Sequence, residues 1–205
     1  AAERFEDLEC IDLGGGLGVP FAPYDKPFDM AAYGKTLNAR LSKWCRQCGQ
    51  PLALYMEPGE YMVAQSAYLL TRVVDIKPSV PHSAGRTPTF IGTDASFNHV
   101  FATAIYDAYH EILIADRAEE PGSESVHICG NLLQAGDVLA KDRLLPPLRE
   151  GDLLVMENCG AYAMCRASRF NARPLPAEVI VKDGQVRLVR QRETLQDLLA
   201  NQVLE

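Results

Sequence analysis

Apolar positions along the first third of the chain switch between two spacings. Leu8 to Leu13 reads as a short strand that runs into Gly14-Gly15-Gly16-Leu17-Gly18. After a loop from Pro20 to Pro27, Met30, Tyr33, Leu37, Leu41 and Trp44 recur at helical spacing. Asp29 is placed to cap that helix and Gly49 to stop it. Leu52 to Met56 is a second apolar strand, ending in Glu57-Pro58-Gly59-Glu60. The order strand, glycine loop, helix, strand, charged loop predicts a βαβ unit. Functional groups then stand at the C-terminal ends of both strands, the edge where ligands bind in α/β sheets and barrels.

The pattern then changes. Tyr61 to Ala67 can open a helix, and Tyr68 to Ile76 is extended. Lys77 to Thr89 is rich in Pro, Ser, Gly and Thr and reads as a hairpin or loop. Short strands follow at 89–94, 112–115, 125–129, 153–156 and 178–181. Val186 to Val189 pairs back on the last of these across Asp183-Gly184, a strong hairpin cue. Many short strands with turn signals predict a β-domain, an antiparallel sandwich or barrel. Thr194 to Leu204 closes the chain as an amphipathic helix with Leu195, Leu198, Leu199 and Val203 on one side. The fold class expected is α+β: a partial α/β piece over 1–67, then a mainly β domain over 68–205. A lone βαβ unit leaves apolar faces bare, so further chain or a partner must cover it.

Composition narrows this picture without naming a function. A chain of 205 residues with 47% hydrophobic and 23% charged residues is a packed globular protein. The net charge of −7 argues against a nucleic-acid surface. No apolar run is long enough to span a bilayer. The start Ala1-Ala2-Glu3-Arg4 resembles a cut within a longer chain, with no signal peptide in view. Six scattered cysteines suit reduced thiols in a cytoplasmic protein. Cys45-Arg46-Gln47-Cys48 lacks a second ligand pair at zinc spacing, so two helix-end thiols are the plain reading.

The glycine turn can expose bare N–H groups to a phosphate, and equally can be only a tight connection. Glu57 before Pro-Gly can be an acid in a site or a turn cap. Tyr106 and Tyr162 can bind a ligand or pack as ordinary aromatics. His99 and His110 read as structural histidines with their hydrogen bonds met.

Taken together and in order, the motifs say more than each alone. They are Asp12 to Gly18, Glu57 to Tyr61, Asp94 to His99 with Ile105 to His110, and Gly136 to Ala140 with Glu157 to Tyr162. This set resembles the C-terminal portion of the pyridoxal-phosphate decarboxylases of the alanine-racemase-like fold, which act on diaminopimelate, ornithine, arginine or siderophore precursors. The resemblance runs over essentially all of the chain. It implies that the α/β piece derives from a TIM barrel, that the cofactor is pyridoxal 5′-phosphate, and that the protein is an amino-acid decarboxylase. It also implies a homodimer with sites at the subunit interface. Position by position, it puts the cofactor phosphate on Gly14, Gly15, Gly16 and Tyr162. It puts Glu57, in the segment with Pro58 and Gly59, on the pyridine nitrogen, and Tyr106 and Tyr162 on the substrate.

The departures fall on chemistry and substrate positions. The family's Cys-Glu-Ser, whose cysteine donates a proton, is here Leu133-Gln134-Ala135. The arginine that ends Glu-Pro-Gly-Arg is Glu60, and that of Arg-Pro-Ala-Leu-Tyr is Ala102. Neither can pair with a substrate's far carboxylate, so diaminopimelate is not the expected substrate. The Schiff-base lysine has no counterpart among Lys26, Lys35, Lys43, Lys77, Lys141 and Lys182. A homologue that kept the fold and lost the chemistry is the alternative.

Overall fold

The structure is a computed structural model that describes residues 8–83 and 85–203, with Cys48 described by its backbone alone. The reading of residues 1–4 therefore lies outside the described residues. Strand β1 (Cys10–Asp12) and strand β2 (Ala53–Tyr55) pair in parallel, Ile11 opposite Leu54, joined by helix α1 (Met30–Cys48). The helix begins and ends for the reasons its sequence carries. The Asp29 carboxylate accepts a hydrogen bond from the Ala32 N–H, and Gly49 takes the left-handed conformation at the C-terminus, with φ of 70°. None of the described side chains of β1, α1 or β2 is buried. The βαβ unit is present as expected, with its faces uncovered.

A short helix α2 (Gly59–Val63) and a 3₁₀ turn over Ala64–Ser66 then lead into the main sheet. Its strands are β3 (Leu69–Lys77), β6 (Thr89–Thr93), β7 (Ile112–Ile114), β8 (Glu124–Cys129), β9 (Val138–Leu145) and β10 (Leu153–Met156), in the order β7-β10-β3-β6-β8-β9. Between β3 and β6, β4 (Pro81–His82) and β5 (Gly85–Arg86) form the small hairpin expected there. Helix α3 (Phe101–Ile105) lies between β6 and β7.

One expectation is corrected here. Of the sandwich or barrel expected, the sheet takes the barrel-like form, but it is mixed and not wholly antiparallel: β6 and β8 run parallel, Ile91 opposite Ile128. A parallel pair needs a long crossover, and the chain from Asp94 to Ser123, carrying α3 and β7, provides it. The core lies on one side of this sheet. Val73, Ile91, Ile112, Ile114, Val126, Ile128, Leu139, Leu154 and Met156 are all buried.

The hairpin of β11 (Glu178–Lys182) and β12 (Gln185–Arg190) turns as expected on Asp183 and Gly184, both at positive φ. The final helix α4 is shorter than the apolar spacing suggested. It covers only Leu195–Leu199, opened by a capping box between Thr194 and Asp197. Leu195, Leu199 and Val203 are exposed, and Leu204 lies outside the described residues.

Candidate functional site

The parallel β1–β2 pair brings the glycine turn and the Glu57 segment to one edge. The Gly14 carbonyl accepts the Glu57 N–H at 2.8 Å, and the Gly14 N–H donates to Asp12 Oδ1 at 2.8 Å. Gly14 and Gly16 take φ of 65° and 75°, which L side chains rarely adopt. Gly15 is needed for a different reason. A Cβ there would stand 2.5 Å from the Glu57 carbonyl oxygen, closer than any real contact. Gly15 and Gly16 are exposed residues, and their N–H groups meet no acceptor among the described residues. Two unpaired donors on a side-chain-free turn form a concavity suited to an anion.

From Glu57, Pro58 and Gly59 open α2, and the Met62 N–H returns to the Pro58 carbonyl at 3.2 Å. Gly160 docks on the far end of this segment: its N–H donates to the Ala64 carbonyl at 2.9 Å, beside Cys159 N–H to Ala67 at 2.8 Å. A Cβ on Gly160 would overlap the Val63 carbonyl oxygen. Asn158, buried and at φ 59°, ties the same turn to the loop after the glycines, its Nδ2 donating to the Pro20 carbonyl at 3.1 Å. Tyr162, at φ 56°, projects from this turn half-exposed. A non-glycine residue held in that region marks strain that the surrounding contacts impose.

Tyr162 faces a cleft of about 360 Å³ that Glu60, Ala102, Tyr106, His110 and Arg166 also line. The structure thus gathers Gly14, Gly15 and Gly16 with Glu57, Pro58 and Gly59, and separately gathers Tyr106 with Tyr162. The segment between Gly59 and Ser66 connects the two groups. His110 is satisfied as expected: its Nδ1 donates to the Glu157 carbonyl at 2.8 Å, and its ring meets Phe21 edge-on. Burial holds its pKa below the ordinary value, which favours the neutral ring. His99 departs from expectation: Nδ1 accepts from the Ser96 N–H at 3.3 Å, but Nε2 meets no partner among the described residues. Burial likewise lowers its pKa.

Sequence reasoning did not single out Tyr109 and Arg166. Tyr109 donates to Glu111 Oε2 at 2.5 Å, and the Arg143 guanidinium stands 3.5 Å over its ring. Burial, then the bond to Glu111, pushes its phenol up to about 12. Arg166 ends a 3₁₀ turn (Met164–Arg166) four residues past Tyr162. No spacing signal connects it to Tyr106, sixty positions earlier in the sequence.

Leu133 stands apart from the cleft, on the loop between β8 and β9, with 95% of its surface exposed. The loop is held by the buried Asp137 carboxylate. Its Oδ1 accepts from the Phe97 N–H and its Oδ2 from the Leu132 N–H, each at 2.9 Å. The nearest cysteine in sequence, Cys129, is on β8, and burial raises its thiol pKa. Buried Cys159 is pushed up to about 12.

A sequence profile of the family described as "Pyridoxal-dependent decarboxylase, C-terminal sheet domain" matches residues 24–160. The chain is 42% identical to a diaminopimelate decarboxylase of Methanothermobacter thermautotrophicus over 96% of this chain and 44% of that protein. It is 37% identical to the Escherichia coli diaminopimelate decarboxylase over 97% of this chain and 49% of that one. Among solved structures, a diaminopimelate decarboxylase from m. jannaschi superimposes with a TM-score of 0.85 at 31% identity, covering 100% of this chain and 45% of that one. The chain spans about half the length of the curated relatives it matches. No helix among the described residues is long and apolar enough to cross a membrane.

Proposed function

Because the chain belongs to the pyridoxal-dependent decarboxylases, as their C-terminal sheet domain, we propose that its parent protein removes CO₂ from an amino acid with the help of pyridoxal 5′-phosphate. One observation carries this reading. The glycine turn and Glu57 are locked at one strand edge, with Gly15 in backbone contact with Glu57 and the Gly15 and Gly16 N–H groups without an acceptor among the described residues. These residues fit the cofactor: bare donors for a phosphate beside a carboxylate for a ring nitrogen. When bound, the cofactor supplies an electron sink for the pair left behind by departing CO₂. Gly14, Gly15 and Gly16 would cradle the phosphate, with the Tyr162 hydroxyl as a further donor to it. Glu57, presented by Pro58 and Gly59, would keep the ring nitrogen protonated. Tyr106 and Tyr162 line the substrate side of the cleft.

The division at residue 67, between a remnant of the cofactor barrel and the β-domain, belongs to the same proposal. So do a homodimer with shared sites and a cytoplasmic location. The substrate differs from diaminopimelate in this reading, since Glu60 and Ala102 stand where the resemblance puts arginines. A second reading, a homologue without chemistry, is favoured by one observation. Exposed Leu133, at the family's cysteine position, has no proton to give.

The full-length protein tests both. A visible absorption band with added pyridoxal phosphate that borohydride abolishes, together with CO₂ release from some amino acid, is the expected result. Diaminopimelate as the best substrate would overturn the substrate part. Absence of both band and CO₂ would leave the second reading.

A further inference from the structure

A second cavity lies behind the turn that carries Tyr162. It holds about 300 Å³ between the start of β3, the β11–β12 hairpin and the chain that leaves β12. The turn after β10 is a wall shared with the first cleft: Ala161, Tyr162 and Arg166 line the cleft, and Ala163, Met164 and Ala167 line the cavity. Its volume is at the small end for small-molecule sites, which run from about 300 to 1,000 Å³.

Two donors stand in the lining of this cavity without an acceptor. His99 accepts the Ser96 N–H at Nδ1, so its proton is on Nε2, and that N–H is sealed from water with no partner among the described residues. A buried donor left unpaired is costly, and an acceptor brought into the cavity removes that cost. Arg192 is exposed, and its side chain has no ion pair and no hydrogen bond among the described residues. After burial, its charge is the largest cause of the lowered pKa of His99, so the two groups act on each other. Both are donors and neither can satisfy the other. Glu178, the one carboxylate in the lining, is already bonded to Arg190. Leu69, Leu70, Met164 and Val179 make much of the remaining wall apolar.

We propose that this cavity binds a small carboxylic acid with an apolar body, its carboxylate held between the Arg192 guanidinium and the His99 Nε2–H. A carboxylate has two oxygens in one plane and can take a bond from each donor. The body rests on Leu69, Leu70 and Met164. A bare inorganic anion would give up its hydration to an apolar wall and leave that wall uncovered. Arg192, exposed and unpaired, swings with the entering anion and uncovers the ring nitrogen. The site is separate from the cofactor cradle and does not depend on the decarboxylase reading.

The test uses the full-length protein with pyridoxal phosphate present throughout and three probes followed by calorimetry. Phenylacetate carries both the charge and the body, phenylacetamide removes the charge, and acetate removes the body. The wild type is expected to bind phenylacetate about tenfold or more tightly than either, the scale of a charge-assisted pair in an apolar setting. Arg192→Met should abolish the preference over the amide, and Arg192→Lys should keep part of it. His99→Phe should weaken phenylacetate, and His99→Gln, whose amide supplies an N–H in place of Nε2–H, should restore it, which a merely structural role of the ring would not produce. Near-UV circular dichroism checks that each variant keeps the fold. No binding of phenylacetate, a wild-type preference near one, or a preference that survives Arg192→Met overturns the proposal. Binding by His99→Phe equal to that of the wild type overturns it as well, because the ring donor is then no part of the site.

Discussion

Gly160→Ala is expected to cost at least about 3 kcal/mol of stability, the upper end for forcing volume into a packed site. The added Cβ would overlap the Val63 carbonyl oxygen and crowd Ser66 Oγ. Neither the carbonyl nor the turn can give way without losing the Gly160-to-Ala64 and Cys159-to-Ala67 hydrogen bonds. The effect reaches function because Tyr162 hangs from the same turn. A displacement of about 1 Å at a positioned group can cost on the order of a hundredfold in rate. Urea denaturation and cofactor titration of the full-length variant check both parts. Gly34→Ala is the control. Gly34 is an exposed residue inside α1 with nothing within 4 Å of its added Cβ. That change should stabilise by about 0.5–1 kcal/mol, because alanine forms helix more readily. Equal effects at the two glycines would contradict the docking described for residues 158–162.

The second large effect is expected at Asp137. The residue is 6% exposed, and its carboxylate accepts one backbone N–H from the loop before α3 and one from the loop that carries Leu133. Gly130 makes room for it, since a Cβ there would strike the carboxylate oxygens. Asp137→Ala strands both donors. The loss should be about 3 kcal/mol, since each bond is to a charged acceptor and the donors are left without compensation. Asp137→Asn keeps one acceptor and turns the other oxygen into a donor facing a donor, so it should lie between wild type and alanine. A melting series of the three proteins decides it. A drop of under about 1 kcal/mol for alanine, the value of a single ordinary hydrogen bond, would mean that the loops are held by other contacts.

Most of the local structure was legible because it is written in short-range chemistry. Asp29 and Gly49 bracket α1 as their side-chain and backbone preferences require, and Asp183-Gly184 makes the last hairpin. What sequence reasoning missed has longer range. Strand β9 was hidden by Lys141-Asp142-Arg143, three charged residues in mid-strand, with Asp142 at φ 50° and register shifts in its pairing with β8. A bulge breaks the alternation by which a strand is recognised. The parallel pairing of β6 with β8 leaves no mark on either strand's own periodicity. The final helix was overdrawn because leucines at helical spacing suggest burial, yet Leu195 and Leu199 stay exposed.

The site divides in the same way. Gly14, Gly15, Gly16, Glu57 and Tyr162 were singled out as candidates because they lie in compact motifs. Arg166 was not, because it meets Tyr106 only once the turn after β10 folds over α3. The three glycines also proved unlike one another. Two take positive φ, while Gly15 is needed for its backbone contact with Glu57.

A crystal structure of the full-length protein grown with pyridoxal phosphate tests the central claim most directly. The expected result places phosphate oxygens about 3 Å from the Gly15 and Gly16 amide nitrogens, an ordinary hydrogen-bond distance, with the ring nitrogen against the Glu57 carboxylate. A phosphate bound away from the glycine turn, or a ring nitrogen facing a group other than Glu57, would contradict it.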